Sequence, residues 1–290
     1  MTIQKIAVAL IFSVASTLAS VPSVATAAGV GYGLSVSPPR QTLDLAAGST
    51  KTAFFTVKNA TDKSMVVDLS VKEFSVSDKT YDYVFSKPEH EWVKTRLEQL
   101  TLQPNHAAKI IYDVTVPERA KPGGYYFALF ASTKVNGAAL PGTEQVATLL
   151  YVTVDGKLVR TSVLQNDSVP WFVMGDEIPY KFSVKDTGNV YFTAYFYGKV
   201  NGLFVDQPAS GTSHIVMPGA TRTISGSVPT PFLPGVYTMT YGYKVDFANI
   251  EIVKTTLVIF IPPWSIAASV FVLLLALWLR QRRYIKKEQS

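Results

Sequence analysis

The chain has 290 residues, enough for one large or two ordinary domains; 48% are hydrophobic and only 17% are charged. Its net charge of +6 excludes little by itself, but Lys5 and the segment from residue 280 onward account for five of those charges. The near-neutral remainder has no footprint for nucleic acid, and the absence of cysteine excludes disulfides, thiolate metal sites and cysteine nucleophiles.

Residues 1–27 are predicted to be a secretory signal peptide. Lys5 supplies the positive n-region, residues 6–18 form the apolar h-region, and residues 25–27 read Ala-Thr-Ala, a small-x-small cleavage pattern. The alternative is an uncleaved N-terminal anchor, for which the apolar run is short. We therefore expect an exported protein, and its lack of cysteine favours a bacterial surface.

Apolar and polar residues alternate with a period of two through the middle of the chain. The clearest stretches are residues 53–58, 65–72, 108–116 and 178–185. Turn-forming clusters separate such stretches, which is typical of antiparallel strands with one buried face. Residues 91–100 would allow a short turn of helix. We predict an all-β exported part built from β-sandwiches.

An internal repeat divides this part in two. Residues 55–59 (Phe-Thr-Val-Lys-Asn) recur as residues 182–186 (Phe-Ser-Val-Lys-Asp). In each copy a Val-Pro pair is followed, at the same spacing, by a Pro-Gly corner, at residues 122–123 and 234–235. The repeat predicts two tandem immunoglobulin-like β-sandwiches, residues 30–157 and 158–260.

The first copy is longer than the second between its two matching blocks. The extra residues fall around positions 75–99, and loops added to a scaffold often carry specificity. This stretch contains the candidate ligand-binding residues Tyr81, Tyr83 and Trp92. For Trp92, a position in the core of the first sandwich is the competing interpretation.

Residues 261–279 are predicted to form a single transmembrane helix. Trp264 and Trp278 lie near its ends, where amphipathic rings prefer the lipid headgroups, and a basic tail, residues 280–290, follows. The positive-inside bias places the N-terminus outside and the tail inside. We expect a single-pass protein of the bacterial plasma membrane, partnered by the bilayer, with its exported part at the cell wall.

Residues with catalytic or metal-binding chemistry are sparse. His90, His106 and His214 show no metal-ligand spacing, and the sequence has neither a phosphate-binding loop nor a nucleophile elbow. We expect no cofactor, no metal site and no enzymatic activity.

The first module resembles the peptidoglycan-binding domain of WxL-interacting proteins, which are membrane-anchored surface proteins of Gram-positive bacteria. The similar residues are Trp92 and residues 36–40, 55–59, 114–117 and 122–126, within roughly residues 34–132. The resemblance implies attachment to peptidoglycan and partnership with other surface proteins.

These observations lead to a leading hypothesis and two alternatives. The leading one is a cell-envelope scaffold that binds peptidoglycan or surface proteins through its β-modules. The first alternative is a pilus-chaperone-like assembly factor that donates a strand to secreted subunits, for which residues 36–40 would begin the subunit groove. The second is an accessory subunit of a larger membrane complex.

The signal peptide makes a direct prediction. Mass spectrometry of the protein purified from its own membranes should find a mature N-terminus at Ala28, because cleavage follows Ala27. A membrane-bound protein that still begins at Met1 would contradict it.

Overall fold

Strands make up most of the structure, and its described helix lies at the C-terminal end. The computed structural model describes residues 33–77, 80–135, 142–203, 205–245 and 250–288. The predicted signal peptide, residues 1–27, lies outside these ranges. The mainly β fold and the C-terminal helix predicted from the sequence are confirmed.

The strands of the first half of the chain form two facing sheets. They are β1 (Leu34–Ser37), β2 (Arg40–Leu45), β3 (Thr50–Asn59), β4 (Met65–Val76), β5 (Tyr83–Ser86), β6 (Val93–Thr95), β7 (Gln99–Leu102), β8 (Ala107–Thr115), β9 (Gly123–Val135) and β10 (Gly142–Val154). Within the described residues, one sheet has the order β1-β3-β8-β6 and the other β2-β10-β9-β4-β5, with β7 also paired to β4. We call these two sheets the first sheet pair.

The chain crosses from one of these sheets to the other just before β2. β1 pairs antiparallel with β3, and after a cis peptide bond between Ser37 and Pro38, β2 runs parallel to β10. Arg40, at the start of β2, is the register partner of Leu149. β2 therefore covers only the second half of β10, whereas β9 pairs with its whole length.

Alternating side chains fill the space between the two sheets. Phe55 and Val57 of β3 are fully buried, whereas Lys58, the next residue along the strand, is exposed. β3 therefore has the single buried face that the period-two pattern predicts. Trp92 belongs to the same core, with its ring centroid 4.2 Å from that of Tyr125.

The second half of the chain builds another two facing sheets. Their strands are β11 (Ser162–Ser168), β12 (Phe172–Val173), β13 (Glu177–Asp186), β14 (Phe192–Gly202), β15 (Val205–Asp206), β16 (Ser210–Val216), β17 (Thr221–Pro229), β18 (Gly235–Val245) and β19 (Ile250–Phe260). The described residues give the orders β11-β13-β17 and β12-β19-β18-β14-β15, with β16 also paired to β14. We call them the second sheet pair; its core is rich in aromatic rings, among them Phe182, Phe196 and Tyr243.

The two copies of the repeat end in the same kind of turn. Asn59 closes β3 and its Oδ1 accepts the amide of Thr61 at 2.9 Å; Asp186 closes β13 and its Oδ1 accepts the amide of Gly188 at 2.7 Å. Both side chains are fully buried. The Asn59 amide group also donates to three backbone carbonyls, whereas Oδ2 of Asp186 has no partner in the described structure.

Residues 91–100 contain no helical turn. They contribute β6 and the start of β7, since Val93 pairs with Val114 of β8 and Gln99 with Asp68 of β4. The apolar spacing in this segment would suit a helical turn. The segment forms two short strands instead, because packing on neighbouring strands overrides local preference.

The helix α1 spans Pro263–Glu288. It begins two residues later than the predicted transmembrane segment, because proline is favoured at the first helical position, and it continues into the predicted tail. Its first 18 residues, Pro263–Arg280, are long and apolar enough to cross a membrane, and none of them is buried within the molecule.

Asp186 makes stability depend on pH. Burial raises the pKa of its carboxyl to about 6, against the opposing hydrogen bond from the Gly188 amide. Because the folded-state pKa lies above the unfolded value of about 4, this carboxyl favours the folded state fully below pH 4 and loses that contribution as pH rises through 6. Asp186→Asn should therefore raise the free energy of unfolding near pH 7.5 by roughly 2–3 kcal/mol and flatten its decline between pH 4 and 7.

The measurement is chemical denaturation of the protein across this pH range. Asp113→Asn is the matched control: the hydrogen bond from Arg96 lowers the pKa of Asp113, so its loss should destabilise the protein near neutral pH. An unchanged pH profile in Asp186→Asn would show that this carboxyl stays ionised in the folded protein.

Candidate functional site

A hydrogen-bonded joint centred on Asn189 holds the two sheet pairs together. Its Nδ2 donates to the carbonyl oxygens of Pro122 (2.9 Å) and Lys157 (3.0 Å), and its Oδ1 accepts the amide of Val159 at 2.7 Å. Its own carbonyl oxygen accepts the amide of Gly124 at 2.8 Å. One residue thus ties the start of β9 and the connector between the pairs to the loop after β13.

Glycine is required where the backbones meet at this joint. Gly123 has a φ of 149°, and a Cβ there would lie 2.8 Å from the carbonyl oxygen of Asn189. This contact is too short for any side chain, so the Pro-Gly corner noted in the sequence serves the close approach of the two sheet pairs.

Tyr81 forms a second bridge between the sheet pairs. Its hydroxyl donates to the carbonyl oxygen of Ile215 (3.0 Å) and accepts the amide of Met217 (2.7 Å). The guanidinium of Arg222 lies 4.3 Å from its ring centroid. Burial, which outweighs these hydrogen bonds, raises the pKa of Tyr81, so the hydroxyl stays protonated at neutral pH.

An apolar cleft lies between the bridge and the joint. Phe74, Tyr126 and Tyr151 line it from the outer face of the β4, β9 and β10 sheet, and Met217 and Ala220 line it from the second sheet pair. Part of it encloses about 330 Å³, at the lower end of the size of ligand pockets. The cleft can therefore receive one or two side chains of a partner.

The positive charge beside the cleft belongs to Arg222. One of its amino groups donates to the carbonyl oxygen of Ile215 at 2.8 Å, and the other lies 3.1 Å from Nδ1 of His214. Burial, followed by the charge of Arg222, lowers the pKa of His214. The imidazole is therefore neutral at pH 7.

The three candidate residues of the sequence do not form one patch. Tyr81 is half-buried in the bridge, Tyr83 is 49% exposed with its ring edge-on to Phe74, and Trp92 lies in the core of the first sheet pair. Tyr81 and Tyr83 both reach the wall of the cleft, whereas Trp92 packs on His90 and Tyr125 away from it.

One side of β10 is an open strand edge. The amide of Leu149 donates to Pro39 on the side facing away from β9, and the amides of Thr143, Gln145 and Ala147 point the same way because the direction alternates along a strand. No described strand pairs with this half of β10 on that side.

The open edge of β10 lies on the same sheet as the wall that the first sheet pair contributes to the apolar cleft. Ala147, Leu149 and Tyr151 place their side chains on the same outer face as Ala128 and Phe130 of β9, their register partners being Phe130, Ala128 and Tyr126. A chain segment added beside β10 would thus form main-chain hydrogen bonds at the edge and lay alternate side chains on the outer face that carries Ala147 and Leu149.

The described ranges show no group of three or more His, Asp or Glu side chains that could hold a metal ion. His90 is instead hydrogen-bonded to Glu73, whose Oε1 lies 2.7 Å from the His90 amide and 2.9 Å from Nδ1.

Comparison with known proteins finds similarity of architecture. No family model and no curated protein matches the chain. Similar solved structures include the class 5 fimbriae chaperone CfaA (10% identity, TM-score 0.43, covering 78% of this chain and 99% of that chain) and the E. coli chaperone DraB (12%, 0.38, 79% and 97%). The Pseudomonas aeruginosa CupB2 chaperone is another (12%, 0.36, 76% and 98%).

The resemblance to WxL-interacting proteins is wrong. The similar solved structures described above are fimbrial chaperones, and the motifs that carried the resemblance match no family model. The Val-x-Asn strand end and the Pro-Gly corner occur generally in such sandwiches, so they do not distinguish one family from another.

Removing the Tyr81 hydroxyl tests the bridge. Tyr81→Phe leaves the Met217 amide without its acceptor and should lower the free energy of unfolding by about 1–2 kcal/mol. Hydrogen exchange at Met217 should also accelerate. Tyr195→Phe, whose hydroxyl has no hydrogen bond in the described structure, should change neither value; equal behaviour of the two variants would show that the bridge does not form.

Proposed function

We propose that this protein is a membrane-anchored, pilus-chaperone-like assembly factor that binds extended segments of secreted protein subunits along β10. The observation that carries the proposal is the open edge of β10 beside an apolar cleft. The pilus-chaperone-like alternative drawn from the sequence is thus favoured over the scaffold hypothesis. In this proposal the protein binds its partner by strand pairing and not by attachment to peptidoglycan.

Main-chain pairing supports this mode of binding. The outward amides and carbonyls of Thr143, Gln145 and Ala147 can each pair with an extended segment, and an unpaired edge in a soluble domain is a template for such pairing. Polar Thr143 and Gln145 keep the edge soluble while it is empty.

Side-chain recognition would come from the cleft. Apolar side chains at alternate positions of the bound segment would meet Ala147, Leu149 and the aromatic wall of Tyr126 and Tyr151, where apolar burial is favourable. Arg40 lies exposed at the end of the open edge, with its guanidinium 5.8 Å from the Tyr151 ring centroid. It offers a fork of donors to a carboxylate or carbonyl of the partner.

The rest of the chain positions this site. We propose that the two sheet pairs are tandem immunoglobulin-like β-sandwiches outside the cell and that α1 spans the membrane once, with its basic end inside. The span that argues against a freely diffusing chaperone then becomes its tether. We assign the protein no enzymatic activity, because binding alone accounts for the site.

A proline substitution at the open edge tests the proposal. Gln145→Pro removes one outward amide but leaves the ladder with β9 intact, because that ladder uses the neighbouring residues. Secreted proteins bound to the full-length protein in its own cells should be captured by the wild type and lost, by tenfold or more, from Gln145→Pro. Mass spectrometry after affinity purification measures this.

Gln145→Ala is the matched control. Both variants lose the Gln145 side chain, which donates to Ser132 at 2.8 Å, but only the proline variant loses the amide. Binding should survive in the alanine variant, and residues 142–148 should become protected from hydrogen exchange when the partner is bound. Equal capture by both variants would refute binding at this edge.

A further inference from the structure

α1 follows the end of the second sheet pair at which β12 and β18 are both paired with β19. Phe260, the last residue of β19, pairs with Gly235 of β18 and with Val173 of β12. The amide of Ile261 donates to the Val173 carbonyl at 3.1 Å. The base of the second sheet pair and the start of the helix are therefore one hydrogen-bonded structure.

Only Ile261 and Pro262 separate β19 from α1. Two residues span at most about 7 Å, and both are fixed, one by its hydrogen bond and the other by its ring and its burial. The connection therefore cannot lengthen or bend freely. Wherever the first turn of α1 lies in a bilayer, the base of the second sheet pair lies within a few ångströms of it.

Three separate loops converge at this base. The segments before β13 and β18 are joined, since the Thr230 amide donates to the Asp176 carbonyl at 2.9 Å. The turn after β14 lies beside them, because Asn201 pairs with Thr238 and Gly202 lies against the Tyr237 ring.

These loops expose large apolar side chains. Leu203 is 89% exposed, Phe232 75% and Trp171 72%. With Phe172, Met174 and Leu233, which are also exposed, they form a set that we call the apolar collar. The segments that carry the collar, residues 169–177, 201–203 and 229–237, contain no basic residue and only two acidic ones.

The apolar collar is tied directly to the helix. The ring of Phe232 stacks on that of Trp264, in the first turn of α1, with centroids 5.1 Å apart and planes 21° apart. Aromatic rings at this level are typical of the boundary between headgroups and acyl chains. In water, a contiguous set of exposed apolar side chains is unfavourable and marks an interaction surface.

We propose that the apolar collar inserts into the headgroup–acyl boundary of the membrane that α1 spans, so that the second sheet pair rests on the lipid. This inference depends on the proposed anchoring by α1. Lipid is the occupant because the two-residue connection already brings the collar to the surface of the bilayer, and because these loops carry no basic residue for an acidic partner.

The absence of cysteine allows a direct depth measurement. Single cysteines replacing Met174 and Leu203 in the collar, Val270 in α1 and Leu97 in the first sheet pair can each carry a spin label in the full-length protein. The protein is reconstituted in phosphatidylcholine vesicles. Relaxation by oxygen, which concentrates in lipid, and by a water-soluble nickel chelate, then reports the depth of each label.

Leu97, in the first sheet pair, is the reference for water, and Val270, in α1, is the reference for lipid. Both side chains are about half exposed in the structure, so the protein itself shields the two labels to a similar extent. The collar labels should show an oxygen-to-nickel ratio at least threefold above that of position 97 and below that of position 270. Water-like values at 174 and 203, with a lipid value at 270, would refute insertion of the apolar collar and would still support anchoring by α1.

Two other results would also overturn the proposal. Shielding of 174 and 203 from both reagents would show that protein covers the collar. A water-like value at 270 would refute the anchoring itself and the collar with it. A change of vesicle lipid to a mixture with phosphatidylglycerol should leave the collar values unaltered, because no basic side chain contributes to its contact.

Discussion

The joint at Asn189 is the contact on which the arrangement of the molecule depends. Five hydrogen bonds at this one residue fix the corner at the start of β9 and the connector after β10 against the loop after β13. The approach is close enough that Gly123 can carry no side chain. Together with the Tyr81 bridge, this joint holds the wall formed by Met217 and Ala220 beside Tyr126 and Tyr151. The cleft is therefore a product of the packing of the two sheet pairs more than of any single loop.

The sequence predicted the strands well because each has one buried face. The alternation around Phe55, Val57 and Phe182 identifies strands whatever their partners, and it needs no knowledge of the fold. The open edge of β10 could not be foreseen, because it depends on β2 reaching only as far as Leu149. Arg222 and Met217 carry no local signal either; they matter because a strand from another part of the chain brings them to Tyr81. Trp92 and Tyr83 are near in sequence, yet Tyr83 lies on β5 at the edge of one sheet, whereas Trp92 precedes β6 of the facing sheet and is buried in the core.

The two copies of the repeat show how one position can be used in two ways. Asn59 and Asp186 end equivalent strands and form the same turn, but the amide of Asn59 satisfies three carbonyls that a carboxylate could not. Asp186 leaves an oxygen without a partner in the described structure, at an energetic cost that burial of a charge makes large. At this position, a one-atom difference thus makes the turn of the second sheet pair sensitive to pH, whereas the equivalent turn of the first carries no titratable side chain at Asn59.

With α1 anchored as proposed, the short connection through Ile261 and Pro262 makes the orientation of the second sheet pair depend on the bilayer. The 18-residue, predominantly apolar stretch Pro263–Arg280 reaches about 27 Å, slightly less than a typical hydrocarbon core of about 30 Å. A bilayer much thicker than this must thin locally or draw the end of the helix inward. Because the connection cannot stretch, any such displacement or tilt turns the second sheet pair with it, and the joint passes the rotation to β10. In the proposed topology, membrane thickness therefore sets the angle at which the protein presents the open edge of β10.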